Sequence, residues 1–218
     1  MPPLYPESAL HPLIYKEDWE IDSRLVPFDV TRPELVEVAR VVAGARADAV
    51  DNDPLSAEGQ FAYIFGTRAT RALWRRKGWL LHRAENIESV RHPKLDWLVT
   101  YQSVDLAASP HEPRAISGKG AGADRFIDAA QGDLFASEEL TRTSRFKPEN
   151  SGAWFYCVSV NGDDVRAELS RPTGVGGGNF DGFVERIFII RDGERPKLSV
   201  MPLPEGGPTE FEPVVTRK

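Results

Sequence analysis

Trp154-Phe-Tyr-Cys-Val-Ser-Val160, followed by Asn161-Gly162 and then Asp164-Val-Arg-Ala-Glu-Leu169, is the stretch that decides the fold. Aromatic and β-branched residues dominate the first arm, the second alternates apolar and charged residues, and an Asn-Gly turn between them predicts a β-hairpin. Alternation places Val165, Ala167 and Leu169 on one face of the second arm. Arg166 and Glu168 fall on the other, which is read as a solvated face carrying cross-strand ion pairs.

Strands continue downstream. The glycine-rich loop Gly174–Gly182 leads into Phe183–Arg191, the most β-like segment of the chain, and Lys197–Leu203 is expected to add one more strand. The tail over 204–218 is rich in Pro and Gly and is expected to be loose. Upstream, 95–104 reads as a strand, but helical spacing takes over before it. Thr31-x-x-Glu34 with Pro33 forms a capping box opening a helix over 32–48, with Leu35, Val38, Ala39, Val42 and Ala43 in phase. A second helix runs from Ser56 to Gly78, where Gly66 is expected to kink or split it. A third, over 123–131, buries Phe126, Ile127 and Ala130. Residues 1–30 read as irregular. The expectation is one α+β domain, with helices mainly in 30–135 and a mostly antiparallel sheet over 153–203 plus the strand near 95–104.

Composition narrows the function. The chain has 218 residues, a net charge of −6 and one cysteine. A length at the upper end of what one core serves favours a single domain, and the lone Cys157, inside an apolar run, forms no internal disulfide. No leader or membrane span is recognised, so a cytoplasmic protein with no membrane partner is expected. The acidic balance argues against a protein that coats nucleic acid over its whole surface but leaves room for a local basic patch.

That patch lies in the second helix. From Gly59 to Ala84 there is no acidic residue, while Arg68, Arg71, Arg75, Arg76, Lys77 and Arg83 all fall within it. Arg68, Arg71 and Arg75 are spaced to share a helical face, and guanidinium groups match phosphate oxygens bidentately. Phe61, Ile64, Phe65, Ala72 and Leu73 are expected to form the buried side. Trp74 and Trp79 are candidates for stacking on unpaired bases. Nucleic acid, DNA before RNA, is the expected partner. The loop Ser117-Gly-Lys-Gly-Ala-Gly122 precedes a helix, so Lys119 and its neighbouring amides are candidates for holding a phosphate.

Gln131-Gly-Asp-Leu-Phe135 resembles the peptide by which many bacterial DNA polymerases and repair proteins dock onto the replication sliding clamp. Gln131, Asp133, Leu134 and Phe135 match that pattern, whereas Gly132 departs from the commoner Leu. The resemblance covers five residues. It implies that Leu134 and Phe135 enter an apolar pocket of the clamp and that Gln131 fixes register by hydrogen bonding.

Several enzyme classes are argued down. No Asp or Glu stands two residues before any lysine, as the common metal-dependent nuclease core requires. His11, His82, His92, His111 and Cys157 lack metal-ligand spacing, and dinucleotide and P-loop fingerprints are absent. No metal or cofactor is expected. The leading expectation is a bacterial DNA-transaction protein. The alternatives are a metal-independent enzyme on nucleic acid or a nucleotide, with Glu168 or Glu185 as acid–base group, and an interaction module whose basic helix meets an acidic partner.

Overall fold

The computed structural model describes residues 11–117, 123, 125–127 and 151–194. In chain order its elements are β1 (Leu13–Tyr15), α1 (Asp18–Leu25), α2 (Arg32–Ala47), α3 (Ala57–Arg76), β2 (Leu80–Ala84), β3 (Ile87–Arg91), β4 (Asp96–Ser103), β5 (Ser151–Asn161), β6 (Asp164–Pro172), β7 (Val175–Gly176), β8 (Asn179–Phe180) and β9 (Phe183–Ile190). Seven strands form one sheet in the order β1-β9-β6-β5-β4-β3-β2, and β7 with β8 forms a small separate ribbon. Within the sheet β1/β9 and β4/β5 are parallel and the remaining pairs antiparallel. The fold is α+β, as the sequence pattern predicts. No helix of the described residues is long and apolar enough to cross a membrane.

The β5–β6 hairpin lies at the middle of the sheet. Its two-residue loop is Gly162-Asp163, one residue later than the Asn-Gly pair suggests, because Asn161 still pairs with Asp164. Gly162 has φ 59°, and the first loop position is where a II′ turn demands glycine. Alternate residues of β5 then serve two cores. Trp154, Tyr156 and Val158 face the helices, while Ala153, Phe155 and Cys157 pack on the opposite side with Phe126 and Ile127. A strand buried on both faces reads as the continuous apolar run seen in the sequence.

On the helix side α2 begins where its capping box predicts, with the Glu34 amide 3.4 Å from the Thr31 hydroxyl and the Thr31 amide 2.8 Å from the Glu34 carboxylate. Leu35, Val38, Ala39 and Val42 are buried, and the Tyr156 hydroxyl donates to the Leu35 carbonyl at 2.6 Å. α3 runs unbroken through Gly66. A Cβ there would lie 2.6–2.8 Å from ring atoms of Tyr101, so the glycine permits close seating on β4 rather than a kink. That seating rotates the helix away from the expected face. Ala62, Gly66, Thr67, Thr70, Leu73 and Trp74 are buried, whereas Ile64, Phe65 and Ala72 face solvent and Phe61 is half-buried. Small residues win the buried side because they let the helix approach the sheet. Gly78, with φ 88°, follows the last turn as expected of a glycine that ends a helix.

The opposite face of the sheet is not solvated, which corrects the expectation for Arg166 and Glu168. Residues 104–117 cross it, tied by the Val104–Ala115 bridge and by the Ala107 amide donating to Ser159 Oγ at 3.0 Å. Arg166 remains at the rim, paired with Asp164 and Asp192. Glu168 is fully enclosed.

Part of the N-terminal segment is ordered too. Its acidic residues help build α1, where an irregular segment was expected: Glu20 accepts from the Lys16 and Glu17 amides, and Asp18 pairs with Arg32 and Arg191. The segments 128–131 and 197–203, expected to complete a helix and add a strand, and the tail 204–218 lie outside the described residues.

Candidate functional site

The outward face of α3 carries Phe61, Ile64 and Phe65 on its first turns and Arg68, Ala72, Arg75 and Arg76 on its last. Arg68, Arg75 and Arg76 are exposed and have no carboxylate partner among the described residues. The Arg68 guanidinium lies over the Phe65 ring, 4.7 Å from its centroid, an i,i+3 contact that holds the side chain along the helix surface.

The other expected contacts are engaged elsewhere. Arg71 turns toward the sheet and forms an ion pair with Glu88 of β3, to which Arg83 of β2 also donates at 2.9 Å. Two cations on one carboxylate leave a local positive excess, and Arg71 Nε and Nη2 are buried without hydrogen-bond partners among the described residues. Lys77 pairs with Glu34 at 2.8 Å. Burial works to raise the Glu34 carboxyl, but the Lys77 ammonium and the Thr31 donors outweigh it and hold the carboxyl below its ordinary range. Trp74 and Trp79 are both buried, Trp74 donating from Nε1 to the Phe28 carbonyl at 3.2 Å, so neither indole stacks beside the basic face. Lys119 and Gln131, Asp133, Leu134 and Phe135 lie outside the described residues.

The two candidate acid–base carboxylates are each held by a guanidinium. Arg186 grips Glu168 with Nε to Oε1 at 2.9 Å and Nη2 to Oε2 at 2.7 Å. Ser170 Oγ donates to Oε1 at 2.7 Å and the Ala108 amide to Oε2 at 2.6 Å, so four donors surround the anion. Ala108 reaches it with φ 46°, a left-handed conformation uncommon for a residue with a Cβ. Glu185 takes both Nε and Nη2 of Arg24, the latter at 3.1 Å. That guanidinium in turn lies 5.3–5.7 Å from the ring centroids of Phe28, Trp97 and Trp154. Both carboxylates are thus buried and built into ion pairs with a guanidinium.

One contact escaped the sequence reading: His82 Nδ1 lies 2.9 Å from Ser89 Oγ. Burial, then the nearby Arg91, lowers the His82 pKa. Ser89 is fully buried, so its hydroxyl is a packing group rather than an accessible nucleophile. Among the described residues no three His, Cys, Asp or Glu side chains cluster to hold a metal ion.

The exposed Ile64 and Phe65 also escaped that reading, because helical periodicity alone assigns them to the core. No family model matches the chain, and no curated protein or solved structure is significantly similar to it.

Proposed function

We propose that the outward face of α3 engages the phosphate backbone of nucleic acid, DNA before RNA, through Arg68, Arg75 and Arg76. The observation that carries this reading is that they have no carboxylate partner among the described residues, in a layer where the neighbouring cations are paired. Guanidinium groups left unpaired on an acidic protein are matched to an external anion with several oxygens. Arg68 and Arg75 are seven residues apart, roughly 10 Å along the helix axis, which spans about three base steps of a duplex. Contacts of this kind position a protein on the backbone without reading sequence. Gln131–Phe135 is proposed to tether the protein to the bacterial sliding clamp, on the strength of its four matching residues.

Fluorescence anisotropy with labelled DNA over a salt series tests the basic face. Arg75→Ala with Arg76→Ala should weaken binding across all sequences and reduce the slope of log affinity against log salt by about 2. An unchanged affinity and slope would sink the proposal. For the tether, Leu134→Ala with Phe135→Ala should abolish capture by immobilised clamp while the melting curve stays unchanged.

A further inference from the structure

The seven-stranded sheet ends in two edge strands, β1 and β2, and among the described residues nothing pairs with the outer side of either. The helix beside each edge carries exposed apolar groups. At the β1 edge these are Leu13 and Ile14 with Trp19 and Val26, the last two 73% and 69% exposed. Trp19, Asp22 and Val26 follow at i, i+3 and i+7, so they lie along one side of α1 and its continuation. At the β2 edge Leu80 and Leu81 are exposed on alternate faces of the strand, and Ile64 and Phe65 are exposed further along α3.

Scattered apolar residues on a surface need no explanation, but grouped ones mark contacts. Trp and Arg are also among the residue types that dominate binding energy at interfaces.

The charges of the two edges are opposite. Residues 16–29 hold five carboxylates, Glu17, Asp18, Glu20, Asp22 and Asp29, against Lys16 and Arg24. Residues 59–84 hold six cations and no carboxylate; Glu88 pairs with Arg71 and Arg83 and Glu34 with Lys77, which still leaves this edge with more cations than carboxylates. Two-fold pairing of either edge with itself would set like charges face to face, which is strongly penalised at an interface. The acidic edge of one molecule facing the basic edge of the next satisfies both the charge and the apolar groups.

We propose that the occupant of each edge is a second copy of this chain, joined head to tail, with the Trp19–Val26 side of α1 seated against the α3–β2 edge of its neighbour. Such a contact is heterologous. It leaves one patch open at each end and adds copies rather than stopping at two. It does not rest on nucleic-acid binding, but it uses Arg68 and Arg75, so nucleic acid and the next copy compete for that face.

Sedimentation velocity of the full chain, free of nucleic acid, over a concentration series at low and high salt is the test. Species larger than the monomer are expected at low salt and should shrink as salt screens the charges. Trp19→Ala with Asp22→Arg disables one edge, and Arg68→Glu with Arg75→Glu disables the other. All four side chains are exposed, so both variants should melt like the parent. Each variant alone should be monomeric, and an equal mixture should form a dimer and nothing larger, because only one pair of intact edges remains. A parent chain that stays monomeric at every concentration overturns the proposal. So does a variant that assembles alone as the parent does, or a mixture that fails to dimerise.

Discussion

α2 and α3 lie side by side on one face of the same sheet, and they treat their arginines differently. All three arginines of α2 are engaged: Arg32 with Asp18 and Glu194, Arg40 with Glu37, and Arg46 with Glu58. Of the four on α3, Arg71 is paired and Arg68, Arg75 and Arg76 have no carboxylate partner among the described residues. α2 sits over the middle of the sheet, between α1 and α3, where carboxylates from α1 and the chain end of β9 reach it. α3 lies over the outer strands, and its outward face meets no acidic element among the described residues. The difference separates arginines the fold has consumed from arginines it has left available. An arginine count along the sequence cannot make that distinction.

The largest effect expected from breaking this distinction lies at the most consumed arginine of all, Arg186. Glu168→Ala leaves its guanidinium buried without a counter-ion, and removing one partner of a buried pair destabilises by about 3–5 kcal/mol. For a chain of this size that corresponds to a fall in melting temperature on the order of 10 °C. A Glu168→Ala protein that melts within a degree or two of the parent would show that the buried pair does not anchor the sheet. The consumed class would then lose its clearest member.

A smaller effect is expected where α2 meets the end of β9. Burial tends to raise the Glu194 carboxyl, but hydrogen bonds from the Arg191 side chain and backbone and from Arg32 bring it down to about 2, from an ordinary value of 4.5. A carboxyl depressed in the folded state contributes stability that is present above about pH 4.5 and is lost as pH falls toward 2. The side chain is about a third exposed, so solvent screening keeps the contribution to at most about 1 kcal/mol. Chemical denaturation of the parent and of Glu194→Gln should therefore converge as the pH is lowered through this window. A constant gap between them would mean that Glu194 acts through packing rather than charge.

The sequence foretold the elements whose signals are local. The capping box at Thr31 and Glu34 placed α2, and the apolar arms around Gly162 placed the central hairpin. The β2–β3 hairpin was hidden because its turn is Glu85-Asn86, with φ 52° and 61°, where glycine is the usual marker. The orientation of α3 was hidden for a tertiary reason. Tyr101 belongs to a different element, and only its ring over Gly66 decides which side of the helix is buried. For the candidate site, the basic stretch was legible as composition. Which of its cations are paired depends on Glu88, which takes Arg71, and Glu34, which takes Lys77; both are placed beside the helix by the fold, so no spacing rule along α3 could have sorted them.

The smallest effect on stability is expected where the available class is tested directly. In Arg75→Ala with Arg76→Ala, two terms oppose each other. Cations in the last turn of a helix interact favourably with its C-terminal partial charge, typically by 0.3–1 kcal/mol each at the surface, which the substitution forfeits. Against that, Arg71 and Arg75 are like charges at i,i+4, and removing that pair returns roughly 0.2–0.5 kcal/mol. Alanine also holds the helix slightly better than arginine. The net loss should be no more than about 1 kcal/mol, a change that moves the melting curve only slightly. Arg32→Ala, which severs contacts to Asp18, Glu194 and the Ile189 carbonyl, should cost visibly more. If the α3 double variant instead loses as much as Arg32→Ala, its arginines are structural and the contrast between the two helices collapses. With stability unchanged, any loss of ligand affinity in that variant reports on the surface rather than on the fold.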